Sequence, residues 1–271
     1  MDKLTFIGGG NMATAIISGL IADGMAAGNI EVVEPSEDAA TRLKQRFGIE
    51  VQTGLDRAIL HPVIVLAVKP QQLPDVARQL ASRLKNHLVV SIAAGVRVAD
   101  LTRWLGGYER IVRTMPNTPA MVGAGITGLF AGKTLGEDDR SRAETVLRAV
   151  GSVVWLNSES DLDWVTAVSG SGPAYVFYFI EALEAAAKSA GLPAETARHL
   201  ALHTVFGAAR LALEAGEEPS VLRARVTSKG GTTERGIASL ESAGLPAIVA
   251  NAVKAAAERS RELGDELGGL G

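Results

Sequence analysis

The sequence predicts an α/β N-terminal half, built as a doubly wound parallel sheet, followed by an all-α C-terminal half. Three observations predict it. A β-rich stretch, Lys3–Ile7, runs directly into Gly8-Gly9-Gly10 and then a helical pattern. Short runs of branched apolar residues then alternate with helical segments as far as about residue 112. From Asp161 onward the pattern is helical almost without interruption.

Taken in order, a helix is expected from about Asn11, with Gly24 as its C-cap. Ile30–Val33 is a short strand. Ser36 caps a polar helix that runs to about Phe47 and is closed by Gly48. Val63–Val68 and Leu88–Ile92 are continuous apolar runs, the pattern of parallel strands buried on both faces, and Ile111–Val112 is a third. Helices are expected between them at about 55–60, 72–84 and 97–105. The alanine-rich remainder divides into helices at about 161–168, 173–190, 194–215, 219–226, 233–242 and 246–267. This places a domain boundary at 158/159, giving domains 1–158 and 159–271, with no long linker and no internal repeat.

Composition narrows the function classes. Of 271 residues, 47% are hydrophobic and 21% charged, enough for a packed core. The net charge of -3 and dispersed Lys and Arg argue against a nucleic-acid surface. With no cysteine, a thiolate nucleophile, a thiolate metal site and a disulfide scaffold are excluded. His199 and His203 share a helix face by spacing, yet no acidic partner motif surrounds them, so no metal is expected. The uncharged runs Leu4–Ala22 and Thr114–Gly132 are broken by Gly, Asn or Pro, and no leader pattern precedes the first strand. A cytoplasmic protein without membrane partners is expected.

Gly8-x-Gly10-x-x-Ala13 lies between a strand and a helix. Glycines there permit a tight turn and let the backbone approach a pyrophosphate, which the free N–H groups of the helix start can bind. An acid at the end of the next strand, Glu34, completes a dinucleotide-binding pattern of Rossmann type. Residues Ile7, Gly8, Gly9, Gly10, Asn11 and Met12 are thus candidate cofactor contacts. Glu34 favours a free ribose 2′-hydroxyl, as in NAD, whereas Ser36 and Arg42 could meet a 2′-phosphate; position alone leaves both open. Ala67-Val68-Lys69-Pro70 and Ala93-Ala94-Gly95 end two central strands, where ligands of open parallel sheets lie.

Two later segments place small residues at helix starts: Ser169-Gly170-Ser171-Gly172-Pro173-Ala174-Tyr175, and Thr227 to Gly236. In the second, Gly230-Gly231-Thr232-Thr233 offers successive backbone N–H groups and two hydroxyls, suited to a carboxylate. Either segment alone reads more readily as an N-capped helix start than as a site. Together the chain resembles the pyrroline-5-carboxylate reductase family. The stretch Pro219–Glu241 fits that family's C-terminal signature, with further matches at Phe6–Ala13, Ala67–Pro70, Arg113–Pro119 and Ser169–Tyr175.

The resemblance implies NAD(P)H-dependent reduction of 1-pyrroline-5-carboxylate to L-proline, the last step of proline biosynthesis, with NADPH as cofactor and NADH also possible. It implies a helical dimerisation domain, rings of dimers and an active site shared between subunits. By position, Gly8–Met12, Val68, Lys69 and Ala94 would touch the cofactor. Gly230, Gly231, Thr232 and Thr233 would hold the substrate, with the Thr233 hydroxyl near the ring nitrogen. Many members carry Asn near Asp56, a cofactor contact; an ionised Asp56 cannot donate that hydrogen bond. The residues themselves also point to assembly. Tyr175, Phe177, Tyr178, Phe179 and Phe206 give the helices more apolar surface than a small domain needs, so an obligate dimer is expected. Competing readings are a β-hydroxyacid dehydrogenase, which would need a lysine earlier than Lys188 on the first long helix, a reductase of other cyclic imines, and a non-catalytic dinucleotide sensor.

Overall fold

The computed structural model describes residues 2–132 and 134–270. In chain order the sheet and its helices are β1 (Leu4–Ile7), α1 (Asn11–Ala22), β2 (Ile30–Val33), α2 (Glu37–Phe47), β3 (Glu50–Gln52), β4 (Val63–Leu66), α3 (Leu73–Ala81), β5 (Leu88–Ser91), α4 (Val98–Trp104), β6 (Ile111–Met115), β7 (Gly125–Ala131), α5 (Glu137–Arg148) and β8 (Gly151–Trp155). Then follow α6 (Asp161–Val165), α7 (Gly172–Ser189), α8 (Ala194–Ala215), α9 (Pro219–Arg225), α10 (Thr232–Ser242) and α11 (Leu245–Gly268).

The strands form one sheet in the order β3-β2-β1-β4-β5-β6-β7-β8. β1 pairs in parallel with β2 on one side and β4 on the other, with Leu4 opposite Ile30 and Val63. Alternation along each strand feeds two cores. Val63 and Val65 of β4 join Phe6, Ile16, Ile17 and Leu147 on one face. Ile64 and Leu66 join Leu73, Leu80, Leu101 and Trp104 on the other. A sheet buried on both faces explains the unbroken apolar runs of its central strands.

The sheet departs from a purely parallel one at β7, which runs antiparallel to β6. The connection through Thr118–Val122 is a single 3-10 turn, too short for the helical crossover that a parallel pair needs. The helix expected at 55–60 is one 3-10 turn, Leu55–Arg57. Ala58 is already extended, and Pro62 follows shortly.

By contacts the chain forms two compact units, Met1–Ser171 with Ala255–Gly271, and Gly172–Lys254. The far half of α11 therefore belongs with the sheet. Its inward residues Ala257, Ser260, Gly264 and Leu267 recur at helical spacing. A Cβ on Gly264 would come within 3.0 Å of the Arg97 guanidinium, which pairs with Asp265 at 2.8 Å. Arg103 donates to the Gly268 carbonyl at 2.6 Å, and Ser260 donates to Asp163 at 2.7 Å.

In the second unit α7 and α8 pack on each other. Among its residues Ala197 and Ala201 alone are buried, whereas Tyr178 is 74% and Leu213 85% exposed. Among the described residues no single helix is long and apolar enough to cross a membrane, although α10 and α11 pass together as a bent pair by length and composition.

Candidate active site

The glycine turn is wedged between β2 and β4. Gly8 donates to the Val33 carbonyl at 2.8 Å, and Ala67 donates to the Ile7 carbonyl at 2.8 Å. Gly8 has φ +102°, and a Cβ there would sit 2.7 Å from the Ala67 carbonyl oxygen. Only glycine fits that position without moving backbone. Gly10 is the N-cap of α1 and brings no capping side chain, so the positive end of the helix is open to an anion. This cradle fits a dinucleotide pyrophosphate.

Glu34 stands beside the turn. Its carboxylate accepts from the Gly9 N–H at 2.9 Å through one oxygen and from the Ser36 N–H at 2.9 Å through the other. A Cβ on Gly9 would lie 2.5 Å from Leu43 and 3.2 Å from the Glu34 carboxylate, so glycine is what admits that carboxylate. Ser36 caps α2 by accepting from Ala39. Arg42 is exposed on α2.

A cleft of about 640 Å³ opens at the carboxyl ends of the strands. It brings together Gly8, Gly9, Gly10, Glu34, Ser36, Ala67, Val68 and Lys69. Pro70 and Ala94 line a second cavity of about 360 Å³, which shares Gln71 with the first. Ile7 is 2% exposed and faces the core. Met12 packs against the core from α1, and Asn11 is exposed at the helix start.

Sequence reasoning missed Gln71, Gln72, Asp75 and Val76 in the first cavity, and Thr166, Arg259, Ser260 and Leu263 in the second. The signal for the first group was the turn after Pro70, which carries the chain around the strand end. The second group comes from elements distant in sequence, and no local pattern marks it.

Asp56 lines neither cavity, and its carboxylate folds back over Gly54. The segment around it is tied down by hydrogen bonds to Arg83 and to the buried Glu31 and Thr5. Arg83 donates to the carbonyls of Leu55 and Ala58, and Ile59 donates to Glu31 at 2.9 Å. His61 donates its backbone N–H to the Thr5 hydroxyl at 2.9 Å. Burial holds the Glu31 carboxyl above the ordinary carboxylate range and the His61 imidazole below its own.

In the second unit the turn before α10 is exposed. Gly230 has φ +73°, and Gly231 is the N-cap of α10 without a side-chain cap. The Gly230 N–H is taken by the Glu234 carboxylate at 2.7 Å, and the Gly231 N–H by the Ser228 carbonyl at 3.0 Å. Thr232 and Thr233 occupy the first helical turn, where backbone N–H groups have no acceptor four residues back. An incoming carboxylate would meet these N–H groups and the two hydroxyls. The Ser169–Tyr175 segment spans a π-turn, Thr166–Gly170, and the start of α7; Ser171 lines the second cavity. His199 and His203 on α8 have ring centres 4.3 Å apart with their planes tilted by 50°, and among the described residues no group of three metal-binding side chains is found.

The sheet unit holds an open helix start at a glycine turn beside a cleft, and the helical unit holds an exposed helix start at Thr232. Comparison with known proteins identifies the family. Residues 159–263 match the family model for pyrroline-5-carboxylate reductase dimerisation, and residues 3–95 match that for F420-dependent NADP oxidoreductases. The chain is 44% identical to pyrroline-5-carboxylate reductase of Pseudomonas aeruginosa over 268 residues, covering 98% of each. It is 40% identical to that of Arabidopsis thaliana, covering 96% of this chain and 95% of the plant protein. The structure of a pyrroline-5-carboxylate reductase from Coxiella burnetii superposes with a TM-score of 0.93 at 46% identity, covering 97% and 98%. That of Plasmodium falciparum pyrroline carboxylate reductase with NADP bound does so with a TM-score of 0.85 at 31% identity, again covering 97% and 98%.

Proposed function

The chain belongs to the pyrroline-5-carboxylate reductase family, and from that premise we propose how its residues perform the reaction. The enzyme reduces 1-pyrroline-5-carboxylate to L-proline with NADP(H), and it is a homo-oligomer. One observation carries the reading beyond similarity: a single chain combines the glycine-turn cleft with an exposed Gly230–Thr233 helix start.

The reduced nicotinamide, when bound, supplies a hydride to the carbon of the C=N bond. In our reading the chain supplies position and charge. Gly8–Met12 hold the pyrophosphate. Ala67, Val68, Lys69, Pro70 and Ala94 flank the rest of the cofactor from the strand ends. The N–H groups and hydroxyls of Thr232 and Thr233 hold the substrate carboxylate, and the Thr233 hydroxyl orients the ring nitrogen. A cyclic imine is basic and takes its proton readily, so no histidine or carboxylate acid is required at the turn. Rate enhancement then comes chiefly from proximity. Gly230 and Gly231 shape the turn.

We assign domain roles as cofactor binding for residues 1–158, and substrate binding and dimerisation for 159–271. The exposed apolar side chains of the helical unit support a dimer formed through it, and rings of dimers beyond that. The active site is shared between copies, and the enzyme works in the cytoplasm. The direct test is NADPH oxidation on addition of pyrroline-5-carboxylate, with proline identified as product. A pure, folded oligomer that binds NADPH and forms no proline would overturn the reading. Sedimentation tests assembly: a monomer at micromolar concentration contradicts the dimer.

A further inference from the structure

We infer that Asn117 is a positioning residue for hydride transfer: it fastens the π-turn Thr166–Gly170 so that Thr166 and Ser171 face the second cavity. The inference rests on the reading of that cavity, through Pro70 and Ala94, as the far end of the cofactor site. It starts from the end of β6. Arg113, Met115 and Asn117 are spaced by two, so along extended backbone they point to one side of the sheet. All three meet the 159–171 segment. Buried Arg113 donates to the Glu159 carboxylate at 2.9 Å, and the same oxygen accepts from the Val98 N–H at 2.7 Å. Buried Asn117 donates through its amide to the Ser169 carbonyl at 3.1 Å and accepts from the Ile126 N–H at 2.9 Å. Between them, Met115 lies so close to Gly170 that a Cβ there would stand 2.6 Å from its terminal methyl.

The Asn117 amide stands in for a donor that the sequence removes. In a continuous helix the Ser169 carbonyl would accept from the N–H four residues on, but residue 173 is proline and has none. The turn itself is wound wider than an α-helix: the Ser171 N–H reaches the Thr166 carbonyl, five residues back, at 2.8 Å. Five residues of α-helix would set these two side chains about 140° apart. The wider turn brings both to the wall of the cavity of about 360 Å³, together with Ala94 and Gly95. Val98 opens α4 just after that pair, so the Glu159 carboxylate ties their side of the cavity to the same segment. Asn117 does not line the Gly8–Gly10 cleft, so displacing the turn moves the wall of the second cavity and not the pyrophosphate cradle.

The test uses the purified oligomer. Turnover of pyrroline-5-carboxylate is followed with NADPH and with NADPH deuterated at the transferred position, and NADPH binding is titrated separately by fluorescence. Asn117→Asp keeps the acceptor for Ile126 and loses the donor to Ser169; Asn117→Ala loses both. In each, kcat per NADPH-binding site should fall about 10- to 100-fold, the loss expected of a misplaced reacting group. The NADPH dissociation constant should stay within about threefold. The isotope effect on kcat should be at least the wild type's, because hydride transfer and not product release then limits turnover. Loss of folded protein alone lowers the number of sites and moves neither the rate per site nor the isotope effect. A wild-type rate per site in either folded variant overturns the inference, since both lack the donor to Ser169. A slowed rate whose isotope effect falls also overturns it, because the slow step then lies outside hydride transfer. Failure of both variants to fold would make Asn117 structural and likewise overturn it. A wild-type chain that binds NADPH and forms no proline instead overturns the reading beneath the inference, so the two failures are distinguishable.

Discussion

The two compact units solve the problem of a core differently. The sheet unit buries Phe6, Ile16, Ile17, Leu20, Ile64, Leu66, Leu80 and Leu101 almost completely within itself. The helical unit buries two alanines and leaves Phe177 60% and Phe206 61% exposed. Large aromatic side chains carry much of the stabilisation available to a domain, so a unit that exposes them is incomplete alone. The first unit is built to be stable as a cofactor holder. The second leaves its apolar side chains exposed, the pattern expected of a unit that a partner copy completes.

The sharpest way to break this comparison is to charge the exposed helices. Phe177→Asp with Phe206→Asp should abolish the oligomer in sedimentation and collapse activity, while the sheet unit still binds NADPH. Loss of buried aromatic contacts costs about 3–5 kcal/mol per site. A fully active oligomer would mean the aromatic faces are not the interface.

Next in size is Gly8→Val on the cofactor side. The required φ and the 2.7 Å approach to the Ala67 carbonyl leave no place for a side chain. Strain of about 1–3 kcal/mol or more should weaken NADPH binding roughly 5- to 150-fold, measured by fluorescence titration, with assembly intact.

An effect of comparable size, on turnover and not on cofactor binding, belongs to the helical unit. Thr233→Ala removes one hydrogen bond to a charged or developing amine, worth about 1.5–3 kcal/mol, so kcat/KM should fall roughly 10- to 150-fold. NADPH affinity should not change, and Thr232→Ala should cost less. Wild-type kcat/KM in the Thr233 variant removes that hydroxyl from the mechanism.

The smallest effect probes the sheet unit's own interior. Glu31 has its carboxyl raised above the ordinary value of 4.5, first by burial. A raised carboxyl stabilises the fold while protonated and loses that contribution as pH climbs through its folded pKa. Glu31→Gln removes the ionisation, so its Tm should exceed the wild type's by about 1–3 °C at neutral pH and converge with it at about pH 4. A gap that widens on acidification would reverse the sign argued here.

How much of this was legible in sequence follows the same divide. Central strands such as Val63–Leu66 were readable because burial on both faces leaves continuous apolar runs. The two edges of the sheet, β3 and the part beyond Ile111, were not. β3 buries Val51 alone, β8 alternates without a buried residue, and α5 is so polar that Ala143, Val146 and Leu147 are nearly its whole apolar face. The glycine turn and Glu34 were legible as types at a spacing. The carboxylate's hold on two N–H groups was not, since rotamers leave no trace in composition. The Gly230–Thr233 turn was legible as a helix start, but Glu234 takes the Gly230 N–H and the Ser228 carbonyl takes that of Gly231, which leaves the open donors to the two threonines.

α11 carries a consequence for how the chain comes into being. Its far half packs into the sheet unit, with Leu267 in the core beside Leu101 and Trp104 and the backbone latched by Arg97 and Arg103. Synthesis is vectorial, so these residues leave the ribosome after every residue of the helical unit. The sheet must therefore wait, with the surface around Gly95 uncovered, until more than eighty later residues have emerged, as the interval from Ser171 to Ala255 requires. The part of the molecule that looks self-sufficient when finished is the part whose folding is closed last.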